Sequence, residues 1–247
     1  MKRLLCLIFA LGLVAYGAGV ANAVNLLANP DLDTVAVSTQ ALATPVSWTA
    51  TSSKSISGPF NDGMSSEGFA NVFQPVGGCQ GSGCGLFFKP FQGNITTGDL
   101  VSASLSQDVP GSAGSKYSLT GWAGAEANYV GLTDPTVKSQ FVLQFLNAAS
   151  AVIGSSTIDL PGLGLGVPNG NPFAYKQFTV SGVSPVGTVS VRSIAQMLNA
   201  YGNPAGGAQA FVVDSFDLEK TAVPEPATVA LGLLAAVGGL GLVRRRK

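Results

Sequence analysis

LVSASLSQDVPGSAGSKYSLTGWA, residues 100–123, predicts two consecutive β-strands joined by a tight turn. Apolar and polar residues alternate from residue 100 to residue 109, which is typical of a strand with one buried and one solvated face. Pro110 and Gly111 end that strand, and Tyr117 begins the inward face of the next, with Trp122 directed outward. The alternation indicates a half-buried strand.

Further short segments with strand character lie on both sides of this pair, separated by turns rich in Gly and Pro. They cover residues 24–28, 69–74, 85–91, 141–146, 151–160, 173–180, the region from 189 onward, and 211–218. About ten short strands without an amphipathic helix favour an all-β fold, a jelly-roll-like β-sandwich.

The N-terminus has the composition of a secretory signal peptide. Lys2 and Arg3 precede an apolar stretch over residues 4–20, and Ala21 and Ala23 form a small-residue cleavage site. We therefore expect residues 1–23 to be removed after Ala23, leaving residues 24–221 as the folded body.

The C-terminus has three parts in a fixed order. Pro224, Glu225 and Pro226 come first, followed by an apolar run over residues 227–243 and a basic cluster over residues 244–247. At 1.5 Å per residue the apolar run reaches about 25 Å, close to the thickness of the hydrocarbon layer. The basic cluster is expected to stay on the cytoplasmic side, so the body lies outside a single transmembrane helix.

This C-terminal segment, residues 222–247, resembles the PEP-CTERM sorting signal, which pairs Pro224, Glu225 and Pro226 with a short membrane span and a basic end. The resemblance implies processing by exosortase in a Gram-negative bacterium. It implies anchoring in the inner membrane during sorting and then a place at the cell surface or outside the cell. The alternative is a plain C-terminal anchor in which the Pro-Glu-Pro triplet is incidental.

Charge and composition exclude several classes of function. The body carries seven Lys/Arg and twelve Asp/Glu, a net charge of about −5, which disfavours nucleic acid as a partner. The chain has no histidine, so no Ser-His catalytic pair or histidine-based zinc site is available.

Two cysteines remain in the body after Cys6 leaves with the signal peptide. Cys79 and Cys84 enclose four residues, three of them Gly or Ser, which suits a disulfide in an exported protein. A metal site is the alternative, but two thiolates without further ligands make no closed zinc centre.

Three segments together resemble the galactose-binding-like jelly roll of carbohydrate-binding modules: NLLANPDLD near the start, LSQDVPGSAGSKYSLTGWA in the middle and FVVDSFDLE at the end. Through this resemblance, Asp33 and Asp214 correspond to positions that hold a structural Ca²⁺ in many such modules. Carboxylate and carbonyl oxygens suit that ion. The alternative is that both are ordinary strand-edge carboxylates.

Aromatic side chains are candidates for stacking against sugar rings. Trp48, Trp122 and Tyr129 would form such a platform if they shared one surface. The competing interpretation places Trp48 in the core, whereas Trp122 lies on the polar face of its strand.

Four acids are candidates for the carboxylate pair of a glycosidase: Glu67, Glu126, Asp134 and Asp159. Their spacing selects no pair, and no nucleophile motif is present, so we expect a protein that is not an enzyme. The leading hypothesis is an exported envelope or matrix protein associated with exopolysaccharide. The second hypothesis is a carbohydrate-binding module that recognises a matrix or surface glycan.

Overall fold

The structure is a computed structural model that describes residues 24–34, 45–54, 64–66, 85–165 and 175–222. Within these ranges the chain forms ten β-strands and two short 3₁₀ turns. The strands are β1 (Thr49–Ser52), β2 (Met64–Ser66), β3 (Leu86–Phe88), β4 (Val101–Pro110), β5 (Ser115–Ala125), β6 (Lys138–Leu146), β7 (Val152–Asp159), β8 (Lys176–Val183), β9 (Ser190–Ala200) and β10 (Phe211–Ala222). The all-β prediction is confirmed.

The strands form two five-stranded antiparallel sheets. The first sheet has the order β1-β4-β9-β6-β7, and the second has the order β2-β3-β10-β5-β8. The two strands predicted from residues 100–123 are β4 and β5, and the tight turn between them carries the chain from the first sheet to the second. One core cluster takes side chains from both sheets, so the architecture is a β-sandwich.

The core lies between the sheets because alternate side chains of each strand point inward. Leu105 of β4 and Tyr117 of β5 are fully buried, as the alternation predicts. The rings of Phe141 on β6 and Phe216 on β10 meet across the sandwich, 5.3 Å between centroids in an edge-to-face arrangement. Burying each such side chain contributes roughly 1.5–3 kcal/mol, so contacts of this kind hold the two sheets together.

A β-bulge interrupts β10 in the middle of the second sheet. Asp214 pairs with Trp122 and Asp217 pairs with Thr120, so the register shifts between them. Ser215 takes up the extra length with a φ of 48°, in the left-handed region. The bulge leaves the ring of Phe216 in the core.

The N-terminal segment of the body runs antiparallel along β10. The N–H of Leu26 donates to the carbonyl of Leu218, and the N–H of Phe216 donates to the carbonyl of Pro30, both at 2.9 Å. The side-chain amide of Gln107 also holds Ala28 by accepting from its N–H at 2.7 Å and donating to its carbonyl at 2.9 Å. The first and last segments of the body therefore lie side by side.

Several predicted features lie outside the described residues. These are the signal peptide with Ala21 and Ala23, the Cys79–Cys84 disulfide, and the C-terminal segment with Pro224, Glu225 and Pro226. Among the residues that the structure does describe, no helix has the length and apolar character needed to cross a membrane.

Candidate functional site

A groove crosses the outer face of the first sheet. Its volume is about 490 Å³, and β1, β4, β6 and β9 supply its walls and floor. The lining comprises the side chains of Thr49, Thr51, Ser104, Ser106, Asp108, Gln144, Arg192 and Ile194, together with Ser47 and Gln107. The alternation that buries Leu105 in the core places the serines of β4 on this outer face. We call this surface the polar groove.

A planar ion pair fixes the centre of the polar groove. Arg192 on β9 faces Asp108 on β4, and its Nε and Nη2 donate to Oδ1 at 2.6 Å and Oδ2 at 2.8 Å. The hydrogen bonding that Arg192 donates to the Asp108 carboxylate raises the pKa of Arg192. Two of the five guanidinium N–H groups are used in this pair, so the charge is neutralised while further donors remain for a ligand.

Uncharged polar groups surround that pair. Gln144 lies opposite Arg192 on the neighbouring strand β6. The hydroxyls of Thr51 and Ser104 are 2.7 Å apart across β1 and β4, which holds both side chains in place. Ile194 forms an apolar part of the floor and is only 7% exposed. The groove thus offers hydroxyl, amide and guanidinium groups on rigid strands above an aliphatic floor.

Only one of the three predicted stacking residues lies on an outer surface. Trp122 is half-buried on the outer face of the second sheet, where its strand neighbours are Asp214 and Gln177. That face is opposite to the one that carries the polar groove. The structure therefore separates Trp122 from the groove by the thickness of the sandwich.

Trp48 and Tyr129 belong to the core, which removes them from the predicted stacking platform. Trp48 is 6% exposed, and its indole N–H donates to the carbonyl of Asn29 at 3.0 Å. Tyr129 is 1% exposed, its ring stacks on Phe211, and its hydroxyl lies 2.7 Å from that of Ser139. Burial raises the pKa of Tyr129 well above its usual range. Neither ring has a free face to offer a sugar.

The acids proposed for catalysis that the structure describes have structural partners. Glu126 accepts the N–H of Ala210 at 2.6 Å, and Asp159 pairs with Lys138 at 3.2 Å. Hydrogen bonds from Thr136 hold the pKa of Asp134 below its usual value. A general acid needs a raised pKa, so Asp134 is unsuited to that role. Glu67 lies outside the described residues.

The pair proposed for calcium lies on the two segments that meet at the bulge. Asp214 is fully buried, and its Oδ1 accepts the N–H of Ser215 at 2.7 Å. Asp33 follows the N-terminal segment that pairs with β10 and is partly exposed. The described residues contain no cluster of three acids, cysteines or histidines. Calcium coordination by Asp33 and Asp214 would need backbone carbonyls as well and stays a prediction.

The comparison with protein families decides the nature of the C-terminal segment. Residues 222–247 match the PEP-CTERM protein-sorting motif. The segment is a PEP-CTERM sorting signal. It implies export and membrane anchoring before processing. A comparison with curated proteins found no match.

Solved structures with a similar fold were found at low sequence identity. One is the enzymatically active domain of tailspike protein 4 from bacteriophage CBA120, with a TM-score of 0.48 and 10% identity over 80% of this chain and 21% of the tailspike chain. Another is the carbohydrate-binding module TmCBM61 in complex with β-1,4-galactotriose, with a TM-score of 0.43 and 14% identity over 81% of this chain and all of that chain. A third is the CBM22-1 xylan-binding domain of Xyn10C from Paenibacillus barcinonensis, with a TM-score of 0.38 and 10% identity over 73% of this chain and 90% of that chain. This chain thus spans about a fifth of the tailspike chain. The likeness concerns the fold alone.

Sequence reasoning missed the residues that line the polar groove. Asp108 and Arg192 lie 84 positions apart, and only the pairing of β4 with β9 brings them together. Alternation predicts an outward side chain at each position but carries no information about the strand beside it. The available signal was the run of outward serines on β4, which marks a hydroxyl-rich surface.

Proposed function

We propose that the protein is an exported, non-enzymatic envelope or matrix protein that exosortase processes and whose body binds a neutral polysaccharide in the polar groove. The sorting signal supports the export and processing. The observation that carries the binding is the neutral, hydroxyl- and amide-rich groove built on four strands.

The chemistry of the groove favours a neutral glycan. Asp108 neutralises Arg192, which is the one cation among the described residues that line the groove, so these residues offer no unpaired positive charge to a carboxylated or sulfated chain. Sugar hydroxyls both donate and accept hydrogen bonds, as do the hydroxyls and the amide of the lining. Strands hold these groups with little freedom, which reduces the entropy lost on binding.

We propose a protein without catalytic activity because those of its candidate acids that the structure describes are already engaged and histidine is missing from its sequence. Glu126, Asp134 and Asp159 are engaged in hydrogen bonds or ion pairs, and the chain contains no histidine. A glycosidase needs one carboxyl with a raised pKa beside a second carboxylate. Among the described residues that line the groove, the one carboxylate is that of Asp108, which is already paired with Arg192.

A glycan array followed by affinity electrophoresis on neutral and acidic polysaccharides tests the binding. We expect retention by a neutral polysaccharide, weakened in Gln144→Ala and in the double variant Asp108→Ala with Arg192→Ala. Hydrogen bonds to polar and charged groups contribute about 0.5–3 kcal/mol each, so the loss of one should weaken binding roughly 2- to 150-fold. The matched control is Thr179→Ala, which removes a hydroxyl from the outer face of the second sheet and should bind as the wild type does.

Trp122 provides a second candidate face for the same function. Because it is half-buried on the outer side of the second sheet, an indole-mediated site would lie there instead. Loss of binding in Trp122→Ala with full binding in Gln144→Ala would move the site to that face. Failure of every polysaccharide to bind would remove carbohydrate recognition altogether.

The sorting proposal has its own test in the native host. Glu225→Ala and Pro226→Ala should leave the full-length chain in the membrane, whereas the wild type is shortened and released. An enriched exopolysaccharide fraction should retain the processed wild-type protein. Identical size and location of variant and wild type would leave a plain membrane anchor as the explanation.

A further inference from the structure

Three turns and the end of β10 meet at one end of the sandwich. The N–H of Gly111, after β4, donates to Val189 before β9 at 2.8 Å, and the N–H of Val189 donates to Leu146 at the end of β6 at 2.9 Å. In the second sheet, Ala222 at the end of β10 pairs with Ser115 at the start of β5. We call this end, formed by residues 110–116, 146–153, 183–190 and 220–222, the C-terminal pole.

Large apolar side chains are exposed at the C-terminal pole. Val186 in the turn between β8 and β9 is 93% exposed, and Val183 and Val189 on either side are about half exposed. Val152 and Ile153 at the start of β7 are also exposed. Isolated exposed apolar side chains are ordinary, but five at one end of a domain mark a surface that contacts something else.

The charge of the C-terminal pole is uniformly positive. Lys116 and Lys220 are its charged residues, both exposed, and its four ranges contain no Asp or Glu. The opposite end of the sandwich differs, since it carries charges of both signs, with Lys54 paired to Asp99 and Lys138 paired to Asp159. The body as a whole is acidic, so this positive, apolar end stands apart from the rest of the surface.

The sorting signal begins where the C-terminal pole ends. Ala222 is the last residue of β10, and the apolar run of the signal begins at Ala227. A fully extended chain covers at most about 3.6 Å per residue, so five steps span no more than about 18 Å. While the signal is membrane-anchored, the pole is therefore held within about 18 Å of the membrane surface.

We propose that the C-terminal pole docks on the anionic surface of the membrane that holds the sorting signal. The valines enter the headgroup region, and Lys116 and Lys220 face anionic lipids. The short tether makes the docking intramolecular, so weak contacts suffice. The polar groove lies on the side of the sandwich and stays open to solvent in this orientation.

Full-length protein reconstituted into vesicles of phosphatidylethanolamine and phosphatidylglycerol tests the docking. The probe is Val186→Trp, read by quenching with lipids brominated near the headgroup end of their acyl chains. The matched control is Ile95→Trp, at an exposed position in the turn before β4 at the opposite end. We expect the indole at position 186 to be quenched at least twofold more strongly than the indole at position 95, after subtraction of the wild-type signal.

Charge reversal separates docking from mere tethering. Each lysine beside an anionic surface favours the docked state about fivefold, so Lys116→Glu with Lys220→Glu should lower the quenching at position 186 to the control level. Vesicles of phosphatidylcholine alone should do the same. Equal quenching at positions 186 and 95 would overturn the docking. So would quenching at position 186 that stays the same after the two lysine substitutions and in phosphatidylcholine vesicles. Flotation of the protein with the vesicles measures membrane anchoring separately from docking. A protein that does not float would overturn the anchoring on which the docking rests. Neither the quenching result nor the flotation result depends on polysaccharide binding.

Discussion

Replacing Gly121 by alanine tests the packing beneath the bulge of β10. Gly121 lies on β5 directly under the ring of Phe216. A Cβ at position 121 would come within 2.6 Å of two carbons of that ring and 3.0 Å of the ring of Phe141. Carbon atoms in contact stay about 3.5–4.0 Å apart, so the rings must move by about an ångström.

The cost of that movement is expected to be appreciable because the site is closed on several sides. Trp48 packs against Phe216 at 5.3 Å between centroids, and Phe141 contacts it from the opposite sheet at the same distance. Overpacking a well-filled core typically costs about 1–3 kcal/mol. For a domain of 150–250 residues, at about 2–4 °C per kcal/mol, Gly121→Ala should lower the melting temperature by about 2–12 °C.

Thermal unfolding of the purified protein measures the effect, with Gly162→Ala as the control. No atom lies within 4 Å of a Cβ at position 162, so alanine there should be neutral or slightly stabilising. The double variant Gly121→Ala with Phe216→Leu should lose less free energy of unfolding than the sum of the losses in the two single variants, by about 0.5–3 kcal/mol. A folded Gly121→Ala protein that melts at or above the wild-type temperature would refute the packing argument.

Three further changes test separate features. Burial raises the pKa of Asp217, so its ionised form is costly in the folded state. Asp217→Asn should therefore melt at a higher temperature than the wild type at neutral pH and lose that advantage below about pH 4, where the wild-type carboxyl is protonated. A gain in melting temperature that does not depend on pH would contradict this cause. Ser215→Gly should raise the free energy of unfolding by up to about 1 kcal/mol because glycine accepts the left-handed backbone there, and a lower stability would show that the serine side chain matters more. At a hundredfold excess over its Kd, Ca²⁺ should raise the melting temperature by roughly 5–11 °C relative to the same protein in EDTA. Asp214→Asn should abolish this rise. Equal melting temperatures of the wild type in millimolar Ca²⁺ and in EDTA would remove the calcium prediction.

Local alternation made the fold class predictable. The pattern over residues 100–123 correctly directs Leu105, Tyr117 and Leu119 into the core, because a strand repeats every two residues whatever lies beside it. The strand β1 was not predicted, because its sequence, TATS, is only four residues long and its one apolar side chain is the small Ala50. Its place in the sheet comes from pairing with β4.

Long-range pairing made the site unpredictable. The side chain of Tyr129 is polar at one end and precedes a 3₁₀ turn, and nothing local shows that Phe211 and Ser139 enclose it. The same holds for Arg192, whose partner Asp108 is supplied by another strand. The C-terminal sorting signal was predictable because its three parts are contiguous in sequence.

The position of β10 gives the anchored protein a direction of mechanical strength. β10 is the longest of the described strands, lies between β3 and β5, and pairs with β5 from Phe211 to Ala222. A tensile load applied through Ala222 acts along this strand, perpendicular to its ladder hydrogen bonds. The bonds then resist in shear, many at once, instead of opening one after another as in a peeled hairpin. A ligand that pulls on the first sheet would therefore strain the whole sandwich before it could extract the strand that leads to the membrane.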